Sequence, residues 1–134
     1  SVLTIVGTGN VTVTASQSGN NNFNAASSIE QSFTVNKADQ SITFSAIQDK
    51  AIGSQPFVLN ATSSSSLTIS YTHTTDKISI TNNQVSLLKI GKVTITASQP
   101  GNGNYNGAAS VEQSFCVTPS KPVVNVGSSG ESDT

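Results

Sequence analysis

Hydrophobic and polar residues alternate along most of this chain. In residues 11–16 the apolar side chains of Val11, Val13 and Ala15 are separated by Thr or Ser, and residues 29–35 alternate in the same way. Successive side chains of a strand point to opposite faces, so a period of two is typical of a strand with one buried face. No segment repeats its apolar residues with the 3.6-residue period of a helix. The pattern therefore predicts an all-β protein.

Residues 41–118 contain seven short runs of this kind, at 42–44, 57–61, 67–73, 77–80, 85–90, 93–98 and 111–117. Turn-forming residues separate the runs, and Asn82-Asn83 indicates a tight hairpin because Asn tolerates a positive φ. Seven strands at this spacing predict an immunoglobulin-like β-sandwich, although the Cys…Trp…Cys pattern of antibody domains is absent. The side chains expected to face its core are Ile42, Phe44, Phe57, Leu59, Leu67, Ile69, Tyr71, Ile78, Ile80, Val85, Leu87, Val93, Ile95, Ala97, Val111, Phe115 and Val117.

Two segments of the chain have nearly the same sequence. Residues 9–35 align with residues 91–117 at an offset of 82, and 18 of these 27 positions are identical. Self-similarity at a fixed offset is typical of repeat architectures. We therefore expect residues 1–36 to be the C-terminal part of an incomplete repeat and residues 37–118 to be a complete repeat. Residues 119–134, rich in Pro, Gly and Ser, are expected to form a linker or tail.

Residues 1–36 are expected to lack part of their fold. They contain three predicted strands, near 3–6, 11–16 and 29–35, and the strands that would cover their inner face are expected ahead of residue 1. Three strands persist only when their apolar face is covered, so this segment should be poorly ordered alone or borrow cover. The side chains expected to lack an opposite sheet are Leu3, Ile5, Val11, Val13, Phe23, Ile29, Phe33 and Val35.

The repeated string Thr94-Ile-Thr-Ala-Ser-Gln-Pro-Gly-Asn-Gly-Asn-Tyr-Asn106 resembles bacterial immunoglobulin-like tandem repeats, as does the junction Val35-Asn-Lys-Ala-Asp-Gln-Ser-Ile-Thr-Phe44. The resemblance covers about residues 1–118. Such repeats are strung along large secreted or surface-attached bacterial proteins, including adhesin-like chains. The resemblance implies an extracellular or cell-surface location and neighbouring repeats of the same parent chain as partners. It carries no known catalytic residues, and Cys116 departs from it because the other copy has Thr34.

Composition excludes several other classes of partner. Charged residues make up 10% of the chain and the net charge is −1, so the chain has no basic field for phosphates and we expect no nucleic acid. No apolar run approaches the roughly 20 residues that a membrane-spanning helix needs, so we expect no membrane insertion in this segment.

The Asn-rich loop is the best binding candidate in the sequence. Asn102, Asn104, Tyr105 and Asn106 combine side-chain amides with an aromatic ring, a set that can hydrogen-bond to a sugar and stack on it. The alternative is structural, because Asn and Gly form turns and the aromatic residue can cap the core. Recurrence of the loop at residues 19–24 favours this alternative.

The remaining reactive residues form no recognisable site. Cys116 is the only Cys, and its position in the alternation places it on the outer face, where a neutral replacement of Thr is the simplest interpretation. His73 is the only His, and the carboxylates, including Asp39 at the junction, are too scattered for a zinc or calcium pattern. The sequence therefore predicts no catalytic residue, no metal site and no cofactor.

These observations favour a non-catalytic module that acts as a spacer or stalk in a large extracellular bacterial protein. Contacts with host or environmental glycans or surface proteins would add an adhesive role. The alternative is a carbohydrate-binding accessory module of a secreted hydrolase, because sandwich folds host many functions.

Overall fold

The computed structural model describes residues 1–120, so most of the linker or tail expected at 119–134 lies outside the described residues. The described chain contains no helix, and hence none long and apolar enough to cross a membrane. Its strands are β1 (Gly9–Ala15), β2 (Ile29–Val35), β3 (Ile42–Thr43), β4 (Lys50–Ala51), β5 (Phe57–Val58), β6 (Thr62–Ser63), β7 (Ser70–His73), β8 (Ile78–Thr81), β9 (Gln84–Leu87), β10 (Gly91–Ser98) and β11 (Val111–Thr118). The all-β prediction is confirmed.

The first two strands form a separate antiparallel hairpin. β1 pairs with β2 from Gly9 opposite Val35 to Ala15 opposite Ile29. No other strand within residues 1–120 joins this sheet.

The other strands form one four-stranded sheet and two smaller sheets. β10 lies between its antiparallel neighbours β11 and β7, and β4 adds to β11 in parallel, which gives the order β4-β11-β10-β7. The smaller sheets are the antiparallel pair β3-β6 and the antiparallel group β5-β9-β8.

The core lies between the four-stranded sheet and the smaller sheets. Val93, Ile95 and Phe115 from the four-stranded sheet belong to the same buried cluster as Ile78 and Val85 from the β5-β9-β8 sheet. Inward and outward residues alternate along β10, as expected for strands with one face in a core. This arrangement is consistent with a β-sandwich. All seventeen side chains expected to face the core are buried or half-buried.

Asn82-Asn83 forms the tight turn that the sequence predicts. Thr81 pairs with Gln84 across the ends of β8 and β9, which leaves two residues in the turn. Asn82 has a φ of 58°, a left-handed conformation that Asn adopts more readily than most residues.

Two very short strands arise where the sequence predicts turns. β4 lies in a segment predicted as a turn, and it forms because Lys50 and Ala51 pair with Val117 and Thr118 of β11. β6 forms in the Ser-rich segment, opposite β3. Both pairings are long-range, so the alternation within each short segment could not predict them.

The strand predicted near residues 3–6 is wrong, since the structure has no strand there. Three of the four residues equivalent to it at an offset of 82 lie in β9, which is held between β5 and β8. No described strand flanks residues 3–6. A strand that has no hydrogen-bonding neighbour is not stable, which explains the difference.

The run predicted at 67–73 becomes a strand only from Ser70. In residues 67–69, side chains bond to two of the backbone carbonyls. Ser63 Oγ donates to the Leu67 carbonyl, and Gln99 Nε2 donates to the Thr68 carbonyl. Side-chain bonds of this kind compete with ladder pairing.

Candidate functional site

The Asn-rich loop, residues 101–107, connects β10 to β11 and is built around one side chain. Asn102 Oδ1 accepts hydrogen bonds from the backbone N–H groups of Asn104 at 2.8 Å and Tyr105 at 2.9 Å. This is an Asx turn, in which a short amide side chain replaces a backbone acceptor. At the entry to the loop, Gly101 N–H donates to Gln99 Oε1 at 2.6 Å.

The equivalent loop between β1 and β2, residues 19–25, has the same internal geometry. Asn20 Oδ1 accepts from Asn22 N–H at 2.9 Å and from Phe23 N–H at 3.0 Å, and Gly19 N–H donates to Gln17 Oε1 at 2.8 Å. The turn therefore forms from the local sequence alone, because the surroundings of the two loops differ.

The glycine that opens each loop is required by its conformation. Gly101 has a φ of 85° and Gly19 a φ of 77°. A Cβ on Gly101 would lie 2.4 Å from the Tyr105 carbonyl oxygen, and a Cβ on Gly19 would lie 2.4 Å from the Phe23 carbonyl oxygen. Any side chain at either position would collide with the backbone.

The segment that enters residues 37–118 binds the 101–107 loop. Ala38 N–H donates to the Asn104 carbonyl at 2.9 Å, and Asn106 N–H donates to the Ala38 carbonyl at 2.8 Å. Asn106 Nδ2 donates to Asp39 Oδ1 at 2.8 Å, and Gln40 Nε2 donates to the Asn106 carbonyl at 2.7 Å. We call these four hydrogen bonds the junction clamp.

A residue of the first segment also reaches this loop. Thr8, which precedes β1, donates its hydroxyl to the Gly103 carbonyl at 2.6 Å. The 101–107 loop therefore contacts the junction and the base of the β1–β2 hairpin together. Sequence comparison could not find this contact, because Ile90 stands at the position equivalent to Thr8.

The structure brings the four predicted ligand-contacting residues together, and two of their side chains already form hydrogen bonds within the protein. The Asn102 side chain holds the Asx turn, and the Asn106 side chain bonds to Asp39. Tyr105 is half-buried and lies beside Ala38 in a parallel bridge. Asn104 uses its carbonyl in the junction clamp and is exposed. Sugar binding by this loop stays a prediction.

Cys116 lies on the face where the alternation places it. Cys116 is exposed, and the neighbouring Phe115 is buried, which confirms the predicted orientation of β11. His73 Nδ1 lies 2.8 Å from the Thr75 carbonyl, which can only accept, so Nδ1 carries the proton. Within residues 1–120, no three His, Cys, Asp or Glu side chains are close enough to hold a metal ion.

Lys89 and Asp76 form an ion pair on the surface of the described part of the chain. Lys89 Nζ donates to Asp76 Oδ2 at 2.5 Å. This hydrogen bond, together with the charge of Lys89, holds the pKa of Asp76 below its ordinary value. Both side chains are exposed, so water screens their attraction and the pair has little effect on stability.

An open cleft of about 940 Å³ is lined by residues 59–63, residues 66–71, Ile80, Asn82 and Asn83. No charged side chain lines it, and half-buried aliphatic residues form much of its wall. Asn60, Asn82 and Asn83 contribute exposed amides, and Tyr71 contributes a ring whose hydroxyl accepts from Ala61 N–H at 2.9 Å. Sequence analysis missed this cleft because its residues come from four separate segments.

Comparisons of the chain with protein-family models, with curated proteins and with solved structures find no match.

Proposed function

We propose that this chain is a piece of a tandem array of immunoglobulin-like modules. In this proposal the array is a non-catalytic spacer or stalk in a large extracellular or cell-surface bacterial protein. Contacts with host or environmental glycans or surface proteins would make it adhesive. The proposal follows the resemblance of its repeated motifs to bacterial immunoglobulin-like repeats.

The order of the strands supports an immunoglobulin-like module at residues 37–118. β5 and β6 follow each other closely and can be read as two halves of one interrupted strand. Without β4, residues 37–118 then contain seven strands in chain order: β3, β5 with β6, β7, β8, β9, β10 and β11. The first, second, fifth and fourth of these lie side by side in the β3-β6 and β5-β9-β8 sheets. The third, sixth and seventh strands, β7, β10 and β11, form the opposite sheet. With β5 and β6 taken as one strand, this order matches that of a constant-type immunoglobulin sandwich, which supports the proposal.

The junction clamp is the observation that carries the spacer proposal. A spacer needs connections that hold successive modules in a fixed relation, and short connections with many bonds do this better than flexible ones. The junction clamp fixes residues 38–40 of the connection against the 101–107 loop of the module that follows, which leaves Asn36 and Lys37 between the clamp and β2. The Thr8 hydroxyl extends the contact to the preceding hairpin.

Backbone ¹⁵N relaxation on the full chain tests this proposal. We expect order parameters of about 0.85 at Ala38, Asp39 and Gln40, close to those of β10, because the junction clamp holds them. Values below about 0.6 would mean a flexible joint and would contradict a spacer of fixed geometry.

Two variants at the loop refine this test. Asn106→Ala removes the side chain that bonds to Asp39 and should lower the order parameters at the junction. Asn104→Ala is the matched control, because Asn104 takes part through its carbonyl and the substitution keeps that group.

The carbohydrate-binding accessory module is the second candidate function, and the neutral cleft favours it. Amide groups beside an apolar wall can hydrogen-bond to sugar hydroxyls while the wall contacts the sugar's carbon face. Co-sedimentation with insoluble cellulose, chitin or xylan provides the test. Binding that Asn60→Ala with Asn83→Ala abolishes would support this function and place it in the cleft. Binding that only Asn104→Ala reduces would place it in the loop instead.

A further inference from the structure

The 101–107 loop carries an Asn-Gly pair inside the junction clamp. Asn106 precedes Gly107, and both residues are exposed. In such a pair the backbone nitrogen of the glycine can attack the amide carbon of the asparagine side chain, because glycine has no Cβ to hinder the approach. The Gly107 N–H forms no backbone hydrogen bond within residues 1–120, so its nitrogen is not held away from this reaction. The pair therefore has the chemistry and the access that deamidation requires.

The reaction needs water as its only co-reactant. The Gly107 nitrogen forms a bond to Asn106 Cγ, the Cγ–Nδ2 bond breaks, and Nδ2 leaves as ammonia with the proton of the Gly107 N–H. Water then opens the cyclic succinimide. Opening at Cγ leaves aspartate, and opening at the main-chain carbonyl leaves isoaspartate, in which the chain continues through the former side chain. Either product carries a carboxylate in place of the amide.

Asn106 takes part in three of the four hydrogen bonds of the junction clamp. Its N–H donates to the Ala38 carbonyl at 2.8 Å, and its carbonyl accepts from Gln40 Nε2 at 2.7 Å. Its side-chain Nδ2 donates to Asp39 Oδ1 at 2.8 Å. A covalent change at Asn106 therefore acts on most of the clamp at once.

Neither product fits the clamp. At neutral pH a carboxylate at position 106 has no hydrogen to donate, so it would place a second negative charge at hydrogen-bond distance from Asp39. Within residues 1–120, no Lys forms an ion pair with Asp39 that would offset this repulsion. Isoaspartate also adds a methylene group between the N–H and the carbonyl of the residue, and the clamp holds both of these groups.

The other Asn-Gly pair of the loop provides an internal contrast. Asn102 precedes Gly103, and its Oδ1 accepts from the N–H groups of Asn104 and Tyr105. An aspartate at this position would keep both bonds, because a carboxylate oxygen accepts hydrogen bonds as an amide oxygen does. Aspartate is therefore compatible with the loop at position 102 and incompatible with the clamp at position 106.

We propose that Asn106 is a site of spontaneous deamidation that releases the junction clamp irreversibly. While the clamp is closed, the bond to Asp39 holds the reacting side chain. Asn106 therefore reacts when the junction opens locally, and the carboxylate that forms prevents the clamp from closing again. The consequence for an array, a stiff joint between modules that becomes flexible with age, rests on the proposed spacer function.

Peptide mass spectrometry of the full chain, incubated in mildly alkaline buffer, tests the reaction. We expect a mass gain of about 1 Da at Asn106, with aspartate and isoaspartate both formed. Asp39→Ala should raise the rate at Asn106 about threefold or more, because the side chain loses the partner that holds it. Asp49→Ala is the matched control, since it removes an equal charge that bonds to Cys116 N–H instead, and it should leave the rate unchanged.

Two outcomes of this experiment would overturn the proposal. The first is the absence of a mass gain at Asn106 in both the native chain and Asp39→Ala. The second is a rate at Asn106 that Asp39→Ala leaves unchanged or lowers, because the clamp would then not control the reaction.

Backbone ¹⁵N relaxation on Asn106→Asp tests the release of the clamp. We expect the order parameters of residues 38–40 to fall from about 0.85 to below about 0.6. Asn106→Asp combined with Asp39→Asn exchanges the amide and the carboxylate between the two positions, and it should restore the order parameters. Asn102→Asp is the control for added charge in the loop and should leave them unchanged. Unchanged order parameters in Asn106→Asp, or no recovery in the double variant, would overturn the proposal.

Failure of this proposal is distinguishable from failure of the spacer proposal. Low order parameters at residues 38–40 of the unmodified chain would contradict the spacer proposal, and the mass gain at Asn106 would still test the modification. High order parameters without a mass gain at Asn106 would contradict the modification alone.

Discussion

The β1–β2 and β10–β11 hairpins share two thirds of their sequence and differ in what lies against them. Both have a cross-strand hydroxyl pair on the outer face, at 2.9 Å between Thr12 and Ser32 and at 2.7 Å between Thr94 and Ser114. On the inner face, Ile95 is fully buried, whereas the equivalent Val13 is 44% exposed.

This comparison separates what a short sequence encodes from what the rest of the fold adds. Strand pairing, register and the Asx turn are local, so both copies have them. Burial is not local, because only the second hairpin has an opposite sheet within the described chain. Most of the stabilisation of a sheet comes from the burial of its apolar face. Equivalent substitutions in the two copies should therefore have unequal effects.

The largest difference is expected for the paired aromatic residues. Phe115→Ala should lower the free energy of unfolding by about 3–5 kcal/mol, because it leaves a cavity against Phe57 and the rest of the core. Phe33→Ala should lower it by less than about 1 kcal/mol, because Phe33 is partly in water already. Urea-induced unfolding of the full chain measures both. A larger effect for Phe33→Ala would show that the first hairpin is the better-packed copy.

Substitution of the loop glycines should give the next largest difference. Gly101→Ala places a Cβ against the Tyr105 carbonyl and strains a loop that connects buried strands, at a cost of about 2–3 kcal/mol. Gly19→Ala causes the same local collision, but the hairpin it distorts contributes little to global stability. We expect a loss of about 1 kcal/mol or less for this variant. Equal losses in thermal or urea unfolding would contradict the unequal burial of the two copies.

The alternation of residues was sufficient to predict which side chains of each long strand share a face, whereas burial of that face also requires the opposite sheet. It assigned Phe115 inward and Cys116 outward, and it predicted the turn at Asn82. These features depend on neighbouring residues, so a short window of sequence contains the information.

The sequence pattern did not predict features that depend on distant partners. β4 exists because it pairs with β11, which lies more than sixty residues away. The strand expected near residues 3–6 does not form, because no described strand flanks it. At the candidate site, the sequence offered turn formation by Asn102 as the alternative to sugar binding. It did not indicate the hydrogen bonds that Thr8, Ala38 and Gln40 donate to the loop. Those residues lie far from the loop in sequence.

The smallest effect is expected at the one position where β11 replaces a Thr of β2 by Cys. Cys116→Thr should change the free energy of unfolding by about 0.5 kcal/mol or less, because the side chain is exposed. The reciprocal change, Thr34→Cys, is the matched control and should be equally small. A loss above about 1 kcal/mol for Cys116→Thr alone would give Cys116 a structural role that its exposure does not explain.

Hydrogen exchange of the two matching strands, in one dilute and demonstrably monomeric sample of the full chain, tests whether the opposite sheet is what distinguishes the two hairpins. Residues 11–16 and 93–98 differ at one position, Val13 against Ile95, so their intrinsic exchange rates are nearly equal. We expect much faster exchange in residues 11–16, because their hairpin opens without exposing a packed core. Equal protection of the two strands would mean that the first hairpin is covered within this chain, and it would contradict the unequal burial of the two hairpins.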